Sequence, residues 1–314
     1  MPVKDSLRKL LGGGAPDAPA SDGPSQPPMP FLVGAPRSGT TLTRLMLDAH
    51  PELAIPPETY FLTLAAKQYR KLRKGDWLEP YLDTATGYKR WPEFHLDAEA
   101  YKRRVREAQP QDLGGAVREF YAMYAEREGK QRFGDKTPFY VRKMDLIQRT
   151  LPEARFIHII RDGRAVALSI MGLWFGPNTI EEAAEFWVAR IDQARKKAAN
   201  IDHYIEVRYE DIVRDSEPQL RRICEFVDLP WDDRVLRYYE TVVERISREL
   251  PPEEVTPDGR VISTAEREKI MENVSRPPDP SRIDRWRTEM SVEDQKTFES
   301  IAGERLAEFG YPLD

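Results

Sequence analysis

The sequence predicts an α/β fold, a parallel sheet with helices on both faces. Three observations lead there. FLVGAPRSGTTLTRLMLDAH at 31–50 passes from a short apolar strand through a glycine-containing turn into a helical stripe. ARFIHIIRDGRAVALSIM at 154–171 makes the same passage again. HYIEVRYEDI at 203–212 supplies a third strand after a long amphipathic helix. Strands separated by helices pair in parallel, because each crossover must return along the sheet.

The elements follow in order. GGGAPDAPASDGPSQPPMP at 12–30 has little to bury, so residues 1–30 are expected to be a disordered tail and 31–314 one domain. Phe31–Gly34 reads as a buried strand and Thr40–Ala49 as a helix with Leu42, Leu45, Met46 and Ala49 on one stripe. The Pro56-Pro57 pair bars continuation of that helix. Residues 59–74 and 97–129 read as charged helices, and GDWLEPYLDTATGYKRWPEF between them as an aromatic-rich irregular stretch. Phe156–Ile160 is a strand, Ala165–Met171 a helix, 180–199 a long helix and His203–Tyr209 a strand. Helices at 216–227 and 232–249 follow, then the loops PPEEVTPDG and RPPDPSRIDRW, then a last helix at 291–309.

Composition narrows the function classes. The 314 residues are 40% hydrophobic with a formal net charge of −5, enough for a core and without the basic field that draws proteins to nucleic acid. The single cysteine, Cys224, lies on an apolar helical stripe and is expected in the core; alone it makes no internal disulfide or thiolate cluster. The four histidines, 50, 95, 158 and 203, form no metal-binding pattern, so no metal is expected. His158 reads as a core residue and His50 as a helix C-cap, with an alternative role as a base. No run reaches the ~20 apolar residues of a transmembrane helix and no secretory signal is visible, so a cytoplasmic protein is expected.

The first loop reads GAPRSGTT, residues 34–41. Its spacing fits the nucleotide-binding loop G-x-x-x-x-G-K-[ST], but Thr40 stands at the lysine place. A glycine-rich turn at a helix start exposes N–H groups and the positive end of the helix dipole. Ser38, Gly39, Thr40 and Thr41 can therefore wrap a phosphate or sulfate, with Arg37 adding charge. Without the lysine that reaches the β- and γ-phosphates, triphosphate hydrolysis is disfavoured. A second anion site is offered by Arg161, at the carboxyl end of the second strand, and Ser169 in the next helix.

PRSGTTLTRLMLDAHP, DKTPF and FIHIIRDGRAVALS together resemble the sulfotransferases that use 3′-phosphoadenosine 5′-phosphosulfate (PAPS), in particular the tyrosylprotein sulfotransferase-like branch and its bacterial relatives. The resemblance covers roughly 31–312. It implies a P-loop-type fold with a central parallel sheet of about five strands, PAPS as co-substrate, and adenosine 3′,5′-bisphosphate (PAP) as product. It places the 5′-phosphosulfate on Arg37, Ser38, Gly39, Thr40 and Thr41, and the 3′-phosphate on Arg161 and Ser169. The arginine that the tyrosylprotein branch carries four residues after that serine is replaced here by Leu173.

The resemblance makes Glu58 the base that takes the acceptor proton and Lys136 the cation at the leaving oxygen, with Arg37 assisting. Taken alone, Glu58 reads first as an acid at the start of the 59–74 helix, where it favours the helix dipole. Asp135 is expected to orient Lys136, Tyr209 to touch the adenosine, Arg276 to contact the cofactor, and Trp286 to help close the site; Ser263 is a further candidate. Residues 60–130 are expected to form a mostly helical acceptor-side or lid region. There, KQYRKLRKGDW reads as a solvated basic face or an attraction for an acidic partner, and Trp77, Tyr81, Tyr88 and Trp91 either stack on an acceptor or pack the lid. The acceptor class and the oligomeric state have no signature. Two other readings use the same loop: a kinase or nucleotide hydrolase, and a non-catalytic nucleotide-binding protein.

Overall fold

Parallel pairing organises the centre of the molecule. The computed structural model describes residues 26–72, 76–173, 175–249, 253–255, 261–263 and 275–313. Most of the expected tail, 1–25, lies outside them. Strand β1 is Met29–Gly34, beginning two residues earlier than expected and buried throughout. It pairs in parallel with β4 (Asp135–Lys136) on one side and β5 (Ala154–Ile160) on the other, and β5 pairs with β6 (Tyr204–Arg208). The sheet order is β4-β1-β5-β6. Among the described residues it has four strands, against the expected five or so. A separate parallel pair, β2 (Leu53–Ala54) with β3 (Arg132–Phe133), lies outside it.

The alternation of β1 divides the core. Phe31 and Val33 point into a cluster built with the helices of residues 61–150, while Leu32 points into a cluster shared with Ile157, Ile159 and Val207. The second cluster packs α1 (Thr40–Asp48), α9 (Tyr209–Arg214) and α10 (Ser216–Phe226), and includes Cys224 as expected. Helices α7 (Gly163–Ile170) and α8 (Ile180–Ala198) form a third cluster with the C-terminal helix Val292–Glu308. Because the chain steps from β1 to one side for β4 and to the other for β5, the strand order reverses between β1 and β5. Their carboxyl ends flank the crevice where open α/β sheets bind ligands.

The region expected to be mostly helical contains α2 (Phe61–Lys71), α3 (Leu78–Thr86), α4 (Ala98–Ala108) and α5 (Leu113–Arg127). Helix α3 corrects the irregular stretch. Pro80 sits in its first turn, where a missing N–H costs nothing, and Thr84 and Thr86 donate back to Pro80 O and Leu82 O. The expected 97–129 helix is two helices, because Pro110 interrupts it and Asp97 and Asp112 each cap a new start. Tyr81 and Trp91 are buried in this region's own core, with Trp77 and Tyr88 packed against it. They pack that core rather than line an open platform. In the basic stretch, Lys67, Arg70 and Lys71 are exposed; residues 73–75 lie outside the described residues.

Later segments also differ in detail. The expected 232–249 helix is a 3-10 helix, Asp233–Glu240, followed by α11 (Val242–Glu249). PPEEVTPDG contains strand β7 (Glu253–Val255), antiparallel to β8 (Val261–Ser263). RPPDPSRIDRW leads into α12, Trp286–Glu289. The last helix, α13, is Val292–Glu308.

Candidate active site

The first loop is shaped by two residues with positive φ, Arg37 at 70° and Gly39 at 95°. Glycine takes that conformation without strain; for arginine it costs energy that the surroundings must offset. Gly39 also yields its space, since a Cβ there would lie 2.1 Å from Tyr209 Cδ2. Gly39 begins α1, which has no side-chain cap and no acidic residue in its first turn. The N–H groups of that turn and the helix dipole therefore meet incoming anions without competition from a carboxylate. Ser38 and Thr40 are buried beside them, and Thr41 is half-buried.

The second anion pair joins the first. Arg37 Nε donates to Ser169 Oγ at 2.9 Å, and Arg161 Nη1 donates to the Arg37 carbonyl at 3.1 Å. The Arg161 guanidinium lies 4.8 Å from the centre of the Tyr209 ring, which itself covers Gly39. Five of the residues singled out in the sequence thus form one rim: Arg37, Gly39, Arg161, Ser169 and Tyr209. Partial desolvation first, and the nearby Arg161 charge second, lower the Arg37 pKa. Arg161 Nε is buried with no hydrogen-bond partner. An uncapped helix start, two adjacent arginines and an orphaned donor fit a ligand with two separate anionic groups.

Glu58 and Lys136 meet at the end of β4, beside the β1 strand that leads into the first loop. Lys136 ends β4, with Leu32 of β1 as its register partner. Its Nζ donates to Glu58 Oε1 at 2.7 Å. Glu58 lies in the segment between β2 and α2, and the first turn of α2 has no acid, so the helix-start alternative does not hold. Its other oxygen accepts from Arg90 Nη1 at 3.2 Å, and Arg90 is itself clamped by two 2.7 Å bonds to Glu93. Burial pushes the Glu58 carboxyl up, but Lys136 and then Arg90 outweigh it and hold the pKa down at about 2. Lys136 is lowered by burial, with Glu58 opposing.

Several expected roles move. Asp135 does not orient Lys136: neighbours on a strand point to opposite faces, and Asp135 Oδ2 accepts instead from Thr59 Oγ1 at 2.5 Å and Tyr121 Oη at 2.9 Å. It is fully buried and its pKa is raised to about 6, first by desolvation. Trp286 is not a lid residue; it is buried with the Arg164 guanidinium 3.5 Å from its ring centre. His50 accepts from Glu52 N at Nδ1 and reaches Pro230 O from Nε2 at 2.7 Å, which spends both nitrogens structurally. His158 is a buried partner of Tyr204. Arg276 is exposed, and its carbonyl accepts from Tyr238 Oη. The Ser263 backbone pairs with Glu253 in β8, and its side chain lies outside what the structure describes.

The sequence reading missed the surroundings of Glu58: Arg90, Tyr60 and Tyr88. Burial first, and then the nearby Glu58 charge, raise the Tyr60 pKa, and Tyr88 Oη donates to the Glu58 carbonyl at 3.2 Å. Arg90 lies 32 residues along the chain from Glu58, and only its place among the aromatics of GYKRWPEF hinted at burial.

The fold and this rim form a candidate site for an anionic ligand, and comparison with known proteins supplies the family. A family model described as "Sulfotransferase family" matches residues 28–233, so the chain belongs to the sulfotransferase family. Protein-tyrosine sulfotransferase A of Caenorhabditis elegans is 29% identical over 231 residues, covering 70% of this chain and 55% of the relative. Protein-tyrosine sulfotransferase of Drosophila melanogaster is 26% identical over 270 residues, covering 82% and 47%. The chain thus spans about half the length of these relatives. The sulfotransferase domain of the Synechococcus PCC 7002 olefin synthase shares the fold, with a TM-score of 0.57 and 24% identity over 93% of this chain and 98% of that domain. Among the described residues no helix is long and apolar enough to cross a membrane.

Proposed function

We propose that this chain transfers a sulfuryl group from PAPS to an acceptor hydroxyl, with Glu58 as base. The observation that carries the reading is the joined rim: Arg37 bonded to Ser169, Arg161 bonded to the Arg37 carbonyl, and Tyr209 over Gly39. It brings two anion-binding elements 124 residues apart in the chain into direct contact. A single phosphate needs one of them; a ligand with a 5′-phosphosulfate and a 3′-phosphate uses both. The donor supplies a sulfuryl group on a phosphate leaving group, and the chain supplies the rest.

Ser38, the α1 N–H groups and Arg37 hold the 5′ end, and Arg161 with Ser169 holds the 3′-phosphate. Glu58 accepts the hydroxyl proton as the acceptor oxygen bonds to sulfur. Lys136 donates to the bridging oxygen that gains the electron pair when the sulfur–oxygen bond breaks. For that, Lys136 must turn part of its attention from Glu58 to the donor. As it does, the carboxylate loses its strongest opposite charge and becomes a stronger base at the moment a proton must move. Thr40, in place of the nucleotide-loop lysine, weighs against triphosphate hydrolysis.

Calorimetry without magnesium tests the reading: PAP against AMP and ATP. Binding of PAP at least ~10-fold tighter than both is expected, from one charge-assisted site gained. Equal binding of all three, or preference for ATP, would overturn it and bring forward the nucleotide-hydrolase reading.

A further inference from the structure

Arg190, on α8, is a half-buried arginine with no acidic partner among the described residues, and its Nε is buried without a hydrogen bond. Three residues further along the same helix, Gln193 Oε1 is also buried and unpartnered. Most arginines here that are as enclosed have a carboxylate: Arg44 has Glu249, Arg90 has Glu93, Arg118 has Glu153, Arg164 has Asp162. Arg190 instead has rings. Its guanidinium lies 4.2 Å from the centre of the Phe186 ring and 5.8 Å from that of Phe139. Arg142 is the charge that faces it. Burial first, and Arg142 second, lower the Arg190 pKa to about 10. The rings attract the cation, but no carboxylate of the described residues offsets the water it gives up.

The location gives this meaning. Phe139 follows Lys136 by three residues, and its ring lies 5.9 Å from that of Tyr60. Tyr60 follows Glu58 by two residues and lies within reach of its charge. One wall therefore runs from Glu58 through Tyr60 and Phe139 to Arg190. One end carries the base that would deprotonate an acceptor; the other carries an uncompensated cation between aromatic rings. Leu64, one turn beyond Tyr60 on α2, is exposed on the same helix.

We infer that Arg190, with Arg142, is an acceptor subsite for a carboxylate, so the acceptor carries an anionic group across an aromatic-sized spacer from the hydroxyl that is sulfated. The inference rests on the proposed sulfuryl transfer for the identity of the ligand as acceptor. A planar carboxylate matches the guanidinium fork, and Phe139 and Phe186 exclude water from the pair. A spacer of ring size is required because the Tyr60 and Phe139 rings intervene.

The test uses 4-hydroxyphenylacetate and its uncharged counterpart 4-hydroxyphenylacetamide as probes. Each is titrated calorimetrically into full-length protein saturated with PAP. The acid is expected to bind at least ~10-fold tighter than the amide, the size of one charge-assisted pair, and Arg190→Gln is expected to erase the difference while leaving PAP affinity unchanged. Equal affinities for the two probes, absence of binding by both, or a preference that survives Arg190→Gln would overturn the subsite. A second measurement needs no probe: Arg190→Gln should melt within a few degrees of the parent, since it removes a half-buried charge that has no acidic partner among the described residues and loses only its ring contacts. A fall of several degrees would make Arg190 a structural residue and overturn the inference. Failure of PAP itself to bind would sink the sulfotransferase reading instead, and the two probes titrated alone would still decide the subsite.

Discussion

Lys136 Nζ lies 2.7 Å from Glu58 Oε1, so the proposed base and the proposed leaving-group cation are paired with each other before substrates arrive. The pair is stable because each partner offsets the other's desolvation, and it is poised because either can be drawn away by a ligand of opposite sign. Glu58→Gln keeps the shape and removes the charge. Turnover should fall about 10²–10⁴-fold, with PAP affinity essentially kept. Full turnover by the variant would take Glu58 out of the mechanism.

Arg90 is the other half of the Glu58 environment, held by Glu93 so that one nitrogen is presented to the carboxylate. Arg90→Gln should raise the Glu58 pKa from about 2 towards the ordinary carboxylate value. In the parent, the ionised Glu58 contributes stability above about pH 4.5 that is lost as pH falls towards 2. In the variant that contribution shrinks, and the acid limb of kcat/KM moves to higher pH. Arg90→Lys should restore part of the shift. An unmoved acid limb would show that Arg90 does not tune the base.

Arg161 tests the second anion site separately. Arg161→Ala should weaken PAP binding about 10–100-fold, the range for a lost charge-assisted hydrogen bond, and weaken adenosine 5′-phosphosulfate far less. An equal loss for both ligands would mean that Arg161 does not read the 3′-phosphate.

Gly39 carries two constraints at once, a φ of 95° and the Tyr209 ring against its α-carbon. Gly39→Ala should destabilise the protein by about 1–3 kcal/mol and abolish PAP binding. Combining it with Tyr209→Ala relieves the clash but not the backbone strain, so stability should return only in part. Denaturant melts of the three variants decide this.

Asp135 gives a pH signature of the opposite sign to Glu58. Its pKa is raised to about 6 from 3.8, so its contribution to stability is full below about pH 4 and is lost as pH rises through 6. Asp135→Asn removes that titration and should flatten the stability curve between those limits. Urea midpoints at half-unit steps would show it; parallel curves for parent and variant would mean that Asp135 ionises as freely folded as unfolded.

Much of this architecture was legible along the chain. The loop at 34–41, Arg161 and Ser169 lie at strand ends and helix starts that local patterns reveal, and the structure joins them. The helix Leu78–Thr86 escaped the sequence reading because its proline and aromatics look like breakers until their burial is seen. Asp135 looked like a partner for Lys136 by adjacency, whereas strand pleating turns it to the opposite face. Strand β4 is only two residues long, too short to leave a periodic signal.

The sequence by itself determined the class of fold and the positions of the candidate anion-binding loops, because hydrophobic period, glycine placement and helix starts are properties of neighbouring residues. Only the tertiary structure decided what each charge faces. Glu58 finds Lys136 across 78 residues and Arg90 across 32, while Arg190 finds aromatic rings and no carboxylate among the described residues. Those pairings set the pKa values and the unpaired cation. They depend on how the β4 end, the Glu58 segment and α8 are packed around the sheet, since a charge acts through space and not through the order of the chain.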